Sequence, residues 1–250
     1  MRHTKVNGMK PIGKIWKRCM AVGIILLLGT DMTAQAGWFG LRGESWEEEV
    51  RLQDGTTMIA KRTIHLGAWH ELGQQSGIQE ESISFTVPGT QKRISWVSEY
   101  SKDIGRANFE PLALHVQGAV PYIVTTPNLC LSYNKWGRLN PPYVIFRYDG
   151  KAWQRIPLSE LPSDLTTINL LINTISGRAI DARRDLVSAQ VVKNLNSSLQ
   201  RPEYQTILRE PLPAGSYGSL VNCEELVYYK GYWVGPGDSI GKRMADRMSK

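Results

Sequence analysis

Enzyme chemistry is carried mostly by histidine, cysteine, serine and paired carboxylates, and these are sparsely placed in this 250-residue chain. His65 and His70 lie five apart around Trp69, with Glu71 beside them, and His115 stands alone. No zinc signature has that spacing, so the histidines read as surface or core residues. Ser216 lies in Gly215-Ser216-Tyr217-Gly218-Ser219, which lacks the Gly-x-Ser-x-Gly order of a nucleophile elbow and reads as a loop. There is no phosphate loop or dinucleotide fingerprint, so neither metal nor cofactor is expected. Carboxylate pairs that hydrolyse glycosides are defined by distance in space, and one sequence does not locate them.

A single surface candidate remains, the run Tyr133-Asn134-Lys135-Trp136-Gly137-Arg138-Leu139-Asn140-Pro141-Pro142-Tyr143. On a loop stiffened by prolines, Trp136, Arg138, Asn140 and Tyr143 could stack on and hydrogen-bond a sugar or a peptide, at low ordering cost. In the competing reading Trp136 folds back as a core plug and the prolines only set the chain's path. That reading is preferred, because large aromatic side chains mostly bury.

The N-terminus bears on everything downstream. Lys10, Lys14, Lys17 and Arg18 precede an apolar run from Met20 to Leu28, followed by Thr33-Ala34-Gln35-Ala36. A basic region, a short apolar core and small residues before a cut predict a signal peptide over 1–36, removed after Ala36. The run is shorter than the ~20 apolar residues of a membrane span, so no transmembrane span is expected in the mature chain. Segment 1–36 holds six of the 30 basic residues but one of the 23 acidic ones, so 24 bases and 22 acids remain. The basic character is therefore largely an export signal, which argues against a nucleic-acid partner. The residual cluster, Lys242 to Lys250, reads as a solvated basic tail. Removing the signal also removes Cys19, leaving Cys130 and Cys223 with one possible pairing; in an oxidising compartment they are expected to form a disulfide.

The elements that position these residues read as consecutive hairpins. Trp46–Leu66 turns at Asp54-Gly55, and a two-residue turn there pairs Glu48 with Lys61, Val50 with Ile59 and Glu47 with Arg62. Strands over 82–87 and 91–98 flank Pro88-Gly89 and offer Ile83, Phe85, Ile94 and Trp96 to a core. A third hairpin joins 112–116 to 120–124, where Pro121 predicts an edge strand or a bulge. The strongest turn signal is Asp149-Gly150, which in a two-residue loop pairs Phe146 with Trp153. Val187, Val191 and Leu195 mark one face of a helix within 181–199. Leu226–Val234 reads as a last strand bent at Gly231.

The segments Trp46-Glu47-Glu48-Glu49-Val50-x-Leu52-x-Asp54-Gly55, Trp136-Gly137-x-x-Asn140-Pro141-Pro142-Tyr143 and Arg147-Tyr148-Asp149-Gly150-x-x-Trp153-x-Arg155-Ile156-Pro157-Leu158 resemble a group of uncharacterised exported proteins of proteobacteria. The resemblance implies export and brings no activity with it.

The predicted fold is mainly β: antiparallel hairpins in a sandwich-like or open-barrel sheet, with an incomplete propeller as the alternative. Residues 37–250 are expected to form a single domain. The expected function is that of a periplasmic or secreted, non-enzymatic binding or structural protein whose partner is an envelope protein, a peptide or a sugar. The alternative is a periplasmic hydrolase whose acidic site is scattered along the sequence.

Overall fold

The computed structural model describes residues 43–67, 77–172 and 186–249. The predicted signal peptide, its cleavage site after Ala36 and His70 lie outside them. Strands β1 (Gly43–Arg51), β2 (Thr57–Leu66), β3 (Ile78–Thr86) and β4 (Arg93–Ser98) form consecutive antiparallel hairpins. A two-strand ribbon, β5 (Tyr100–Ser101) and β6 (Arg106–Ala107), leads into a second sheet. Its strands are β7 (Phe109–Gln117), β8 (Val120–Pro127), β9 (Val144–Tyr148) and β10 (Trp153–Ile156), in the order β10-β9-β8-β7. Helix α1 (Leu129–Lys135) lies between β8 and β9. Further on, β11 (Leu186–Val187) joins β1 in parallel, making the first sheet five-stranded, and helix α2 (Ala189–Asn196) follows. The chain ends in the hairpin β12 (Val227–Tyr229) and β13 (Tyr232–Val234), then helix α3 (Ser239–Met248). The fold is mainly β and sandwich-like, and none of these sheets closes into a barrel.

Period-two alternation builds the core. Every second residue of the first sheet points inward: Val50, Met58, Ala60, Ile83, Phe85, Ile94 and Trp96 are buried. They meet Phe109, Leu114, Ile123 and Val144 from the second sheet in one apolar cluster. The other face of the second sheet carries Leu112, Tyr122, Val124, Tyr143 and Ile145, and is covered by Leu161, Leu165, Ile172, Tyr204 and Ile207 from the C-terminal half. The second sheet is thus covered on both faces, which is why β8 reads as an almost continuous apolar run.

Turn geometry departs from expectation in ways that matter. Asp54 does not take positive φ; only Gly55 does, at 85°. Leu52 N–H bonds Thr56 O at 2.8 Å around a three-residue loop, Gln53-Asp54-Gly55, whose glycine forms the bulge. The extra loop residue moves the register by one, so Glu48 pairs with Ala60 and Trp46 with Arg62. A one-residue slip exchanges the faces of a strand. Ile59, expected inside, is 43% exposed, and Arg62 is wholly buried.

At the second Asp-Gly the two-residue loop is Gly150-Lys151, with positive φ (99°) at the glycine alone. Asp149 follows β9 and closes the loop, its N–H donating to Ala152 O at 3.0 Å, and its Oδ1 accepts from the N–H groups of Lys151 and Ala152, both at 2.8 Å. Trp153 therefore pairs with Tyr148, and Phe146 with Arg155, although Phe146 and Trp153 keep the same face. A Cβ added at Gly150 meets nothing within 4 Å, so substitution there costs backbone strain alone. Gly150→Val is expected to lower stability by more than about 1 kcal/mol, and an unchanged denaturation midpoint would disprove this turn.

Other expectations are corrected too. Pro121 lies on a central strand, just before the stretch from Tyr122 to Thr125 that β9 joins. Leu226–Val234 is a hairpin turning at Lys230-Gly231, both at positive φ, and not one bent strand. The helix expected within 181–199 is confined to 189–196, with Ser188 Oγ accepting from Val191 N–H; residues 181–185 lie outside the described segments. The basic segment 242–250 is not a frayed tail up to Ser249. Residues 242–248 lie in α3, which Asp238 caps by accepting from the N–H groups of Ile240 and Gly241.

Candidate functional site

All four residues singled out on the aromatic segment bond to this chain. Trp136 packs against Phe109 with ring centroids 4.6 Å apart, its Nε1–H donates to Asn108 Oδ1 at 3.0 Å, and the Arg155 guanidinium lies over it. Arg138 donates to Cys223 O (2.7 Å) and Glu224 O (3.0 Å), and stacks on Tyr133. The Asn140 side chain forms a two-way clamp on Leu212, donating to its carbonyl at 2.8 Å and accepting from its N–H at 2.7 Å. The Tyr143 hydroxyl bonds to the backbone of Glu203, Thr206 and Leu208, and burial pushes its pKa up. The segment grips the protein's own C-terminal third. Trp136→Ala is accordingly expected to cost about 3 kcal/mol, near the low end for a buried aromatic, since Trp136 is only partly covered. An unchanged melting temperature in that variant would restore the binding role.

The grip is covalent as well. Cys130 and Cys223 form a disulfide with Cα atoms 5.5 Å apart. Cys130 sits in the first turn of α1. Beside it Asn134 donates to Glu224 O and accepts from Leu226 N–H, so one face of α1 fixes residues 223–226.

Charge is concentrated inside the first sheet. Arg62 donates through Nη1 to Glu48 Oε1 (3.0 Å) and Leu171 O (2.7 Å), and through Nη2 to Glu81 Oε1. Trp46 Nε1–H also donates to Glu48 at 2.8 Å, and its ring lies beside the guanidinium. One cation serves two buried carboxylates, and burial holds the Glu81 carboxyl above the ordinary glutamate range despite Arg62. His115, also buried, bonds Thr167 O through Nε2, and burial lowers its pKa, as expected of a neutral core histidine.

Glu81 also floors a cleft of about 610 Å³ where β3, β6 and the ends of β7 and β8 meet residues 198–204 and Tyr217. Glu110 comes from β7, Arg106 from β6, and Arg201 and Tyr204 from the C-terminal segment. Arg201 Nη1 donates to the Tyr204 hydroxyl at 2.9 Å, and that hydroxyl donates to Glu110 Oε2 at 3.1 Å. Burial and the Glu110 charge push the Tyr204 pKa up, so the hydroxyl keeps its proton and remains a donor. The Tyr217 ring, 72% exposed, stands at the rim. Carboxylates, guanidinium groups and an open aromatic face thus share one concave surface. It can accept hydrogen bonds, donate them and stack.

Sequence reasoning missed this cleft. Its residues come from positions 77–81, 106–110, 127–129, 198–204 and 217–218, with no local motif. A signal did exist. Glu81 falls on the inward side of β3, in phase with Ile83 and Phe85, and an inward carboxylate requires a partner. Two other concavities, one around Asn169 and Lys193 and one around Arg147 and Tyr148, do not bring two carboxylates together. Among the described residues no group of three or more metal-ligating side chains converges.

The fold is β-sandwich-like and carries a polar cleft with an aromatic rim. Comparison with family models, with curated proteins and with solved structures found no match.

Proposed function

We propose that this is an exported, single-domain binding protein that holds a sugar in the cleft between Glu81, Glu110, Arg106, Arg201 and Tyr217. The observation that carries the reading is the combination in one cavity of the Arg201–Tyr204–Glu110 hydrogen-bond chain with the exposed Tyr217 ring. Hydroxyl-rich ligands need donors and acceptors side by side and a flat face for stacking. Export is supported by the basic-apolar-small order of residues 10–36 and by a disulfide, which persists in oxidising compartments.

A second reading has its own support. Glu81 and Glu110 both line the cleft, and burial raises the Glu81 pKa, as a general acid in glycoside hydrolysis requires. Binding is preferred because the Glu81 side chain is 3% exposed and bonded to Arg62.

The test is titration calorimetry of the exported protein with soluble chito-, malto- and gluco-oligosaccharides, with tripeptides as the contrast. Saturable sugar binding that Glu110→Gln and Arg201→Gln each weaken at least about tenfold supports the reading. No heat with any sugar, or binding of the tripeptide alone, overturns it. Release of new reducing ends that stops in Glu81→Gln would move the assignment to hydrolysis. Intact mass of the periplasmic protein checks export, and the chain is expected to start at Gly37.

A further inference from the structure

We propose that helix α3 seats the protein on an anionic bilayer surface, independently of what the cleft holds. On α3, Ile240, Met244 and Met248 recur every fourth residue and stand 64%, 57% and 65% exposed. A side chain at i and one at i+4 lie on the same helix face, so the three form one apolar stripe turned to solvent. The helix docks to the body beside this stripe, through Ala245, which is buried.

Charge is sorted on the same helix. Asp246 is neutralised by Lys230 Nζ (2.7 Å) and accepts from the Tyr229 hydroxyl (3.0 Å), and Asp238 is used as the cap. Lys242 turns back to donate to Pro236 O. Arg243 and Arg247 are left exposed at the edge of the apolar stripe. An apolar stripe bordered by arginines, with one acid paired to Lys230 and the other capping the helix, complements a surface of anionic headgroups over acyl chains.

The size of the patch argues against a protein occupant. Ten helical residues span about 15 Å, and three side chains on one rail fall well short of the roughly 800 Å² per partner of a stable interface. A bilayer imposes no such minimum, and unbranched methionines adapt to a fluid surface. Tyr228 and Tyr232 of the adjoining hairpin, 51% and 38% exposed, add amphipathic side chains of the kind that settle at headgroup level.

The test is vesicle co-sedimentation of the exported protein with phosphatidylcholine alone and with added phosphatidylglycerol. Wild type is compared with a stripe variant (Ile240→Ser, Met244→Gln, Met248→Gln) and a charge variant (Arg243→Gln, Arg247→Gln). All three carry the same N-terminus, so any contribution of residues 1–36 cancels. Wild type is expected to pellet only with phosphatidylglycerol, and salt should weaken the binding. Each variant should lower the partition about tenfold or more. Because the changed side chains are exposed, the melting temperature should hold. Wild type remaining in solution with both vesicles overturns the proposal, as does a stripe variant that binds like wild type. A dimer without lipid that the stripe variant dissociates would give the face to a second copy and overturn it too.

Discussion

Reducing the Cys130–Cys223 bond should lower the stability of the protein by roughly 4–5 kcal/mol. The two cysteines are 93 positions apart, so the bond closes a long loop and removes much of the freedom of the unfolded chain. Noncovalent contacts alone would have to hold the same segment without it. They are the Arg138 bonds to the carbonyls of Cys223 and Glu224, the Asn134 bonds to Glu224 and Leu226, and the Asn140 clamp on Leu212. Those bonds are exposed or only partly buried, and each contributes on the order of 1 kcal/mol. The measurement is urea denaturation with and without reductant, beside Cys130→Ser. Coincident midpoints would refute the expectation. Alkylation of the denatured, unreduced chain from Gly37 onward gives a second check: two labelled thiols would show that the bond does not form.

The other large effect is expected at Arg62. Arg62→Met should cost about 3–5 kcal/mol, because it leaves Glu48 and Glu81 buried with their shared cation gone. Hydrophobic packing in the new side chain does not offset that loss, since the carboxylates stay. Arg62→Met with Glu48→Gln and Glu81→Gln should recover part of it. Wild type within about 1 kcal/mol of the single variant would show that the group is not buried as an ion network.

The same group sets a pH dependence. Folded Glu81 holds its proton above the ordinary value of 4.5, while the unfolded chain releases it there. The native state therefore binds more protons, and stability is full below that value and falls as pH rises through the folded pKa. Glu81→Gln should flatten this fall and leave the protein at least as stable near neutrality. A steeper fall in Glu81→Gln would reverse the sign of the effect.

How much of this was legible along the chain depended on what each residue could report locally. Cys130 and Cys223 were legible because elimination of Cys19 left one pairing, and Ile83, Phe85, Ile94 and Trp96 because alternation is local. The Asp54-Gly55 turn was found but its loop was one residue too short, and that alone paired Arg62 with Glu47 when it pairs with Trp46 and lies inside. Phase would have corrected it: Met58, Ala60 and Ile64 share a face with Arg62, whereas Ile59 shares one with Lys61 and Thr63. Helix α1 was hidden because Leu129 opens it at positive φ (68°) without a side-chain cap. The cleft was illegible for a different reason: Glu81 and Glu110 reach it from different sheets, and Arg201 and Tyr204 from a segment after α2.

The disulfide has one more effect, on damage rather than folding. It encloses α1, β9, β10, β11 and α2 within a single covalent ring. A protease that cuts the backbone once anywhere between Cys130 and Cys223 therefore releases nothing. Both pieces stay joined, α3 stays attached to the strands that precede Cys130, and the molecule runs as one species until it is reduced. Nicked protein would be counted as whole in any assay that omits a thiol.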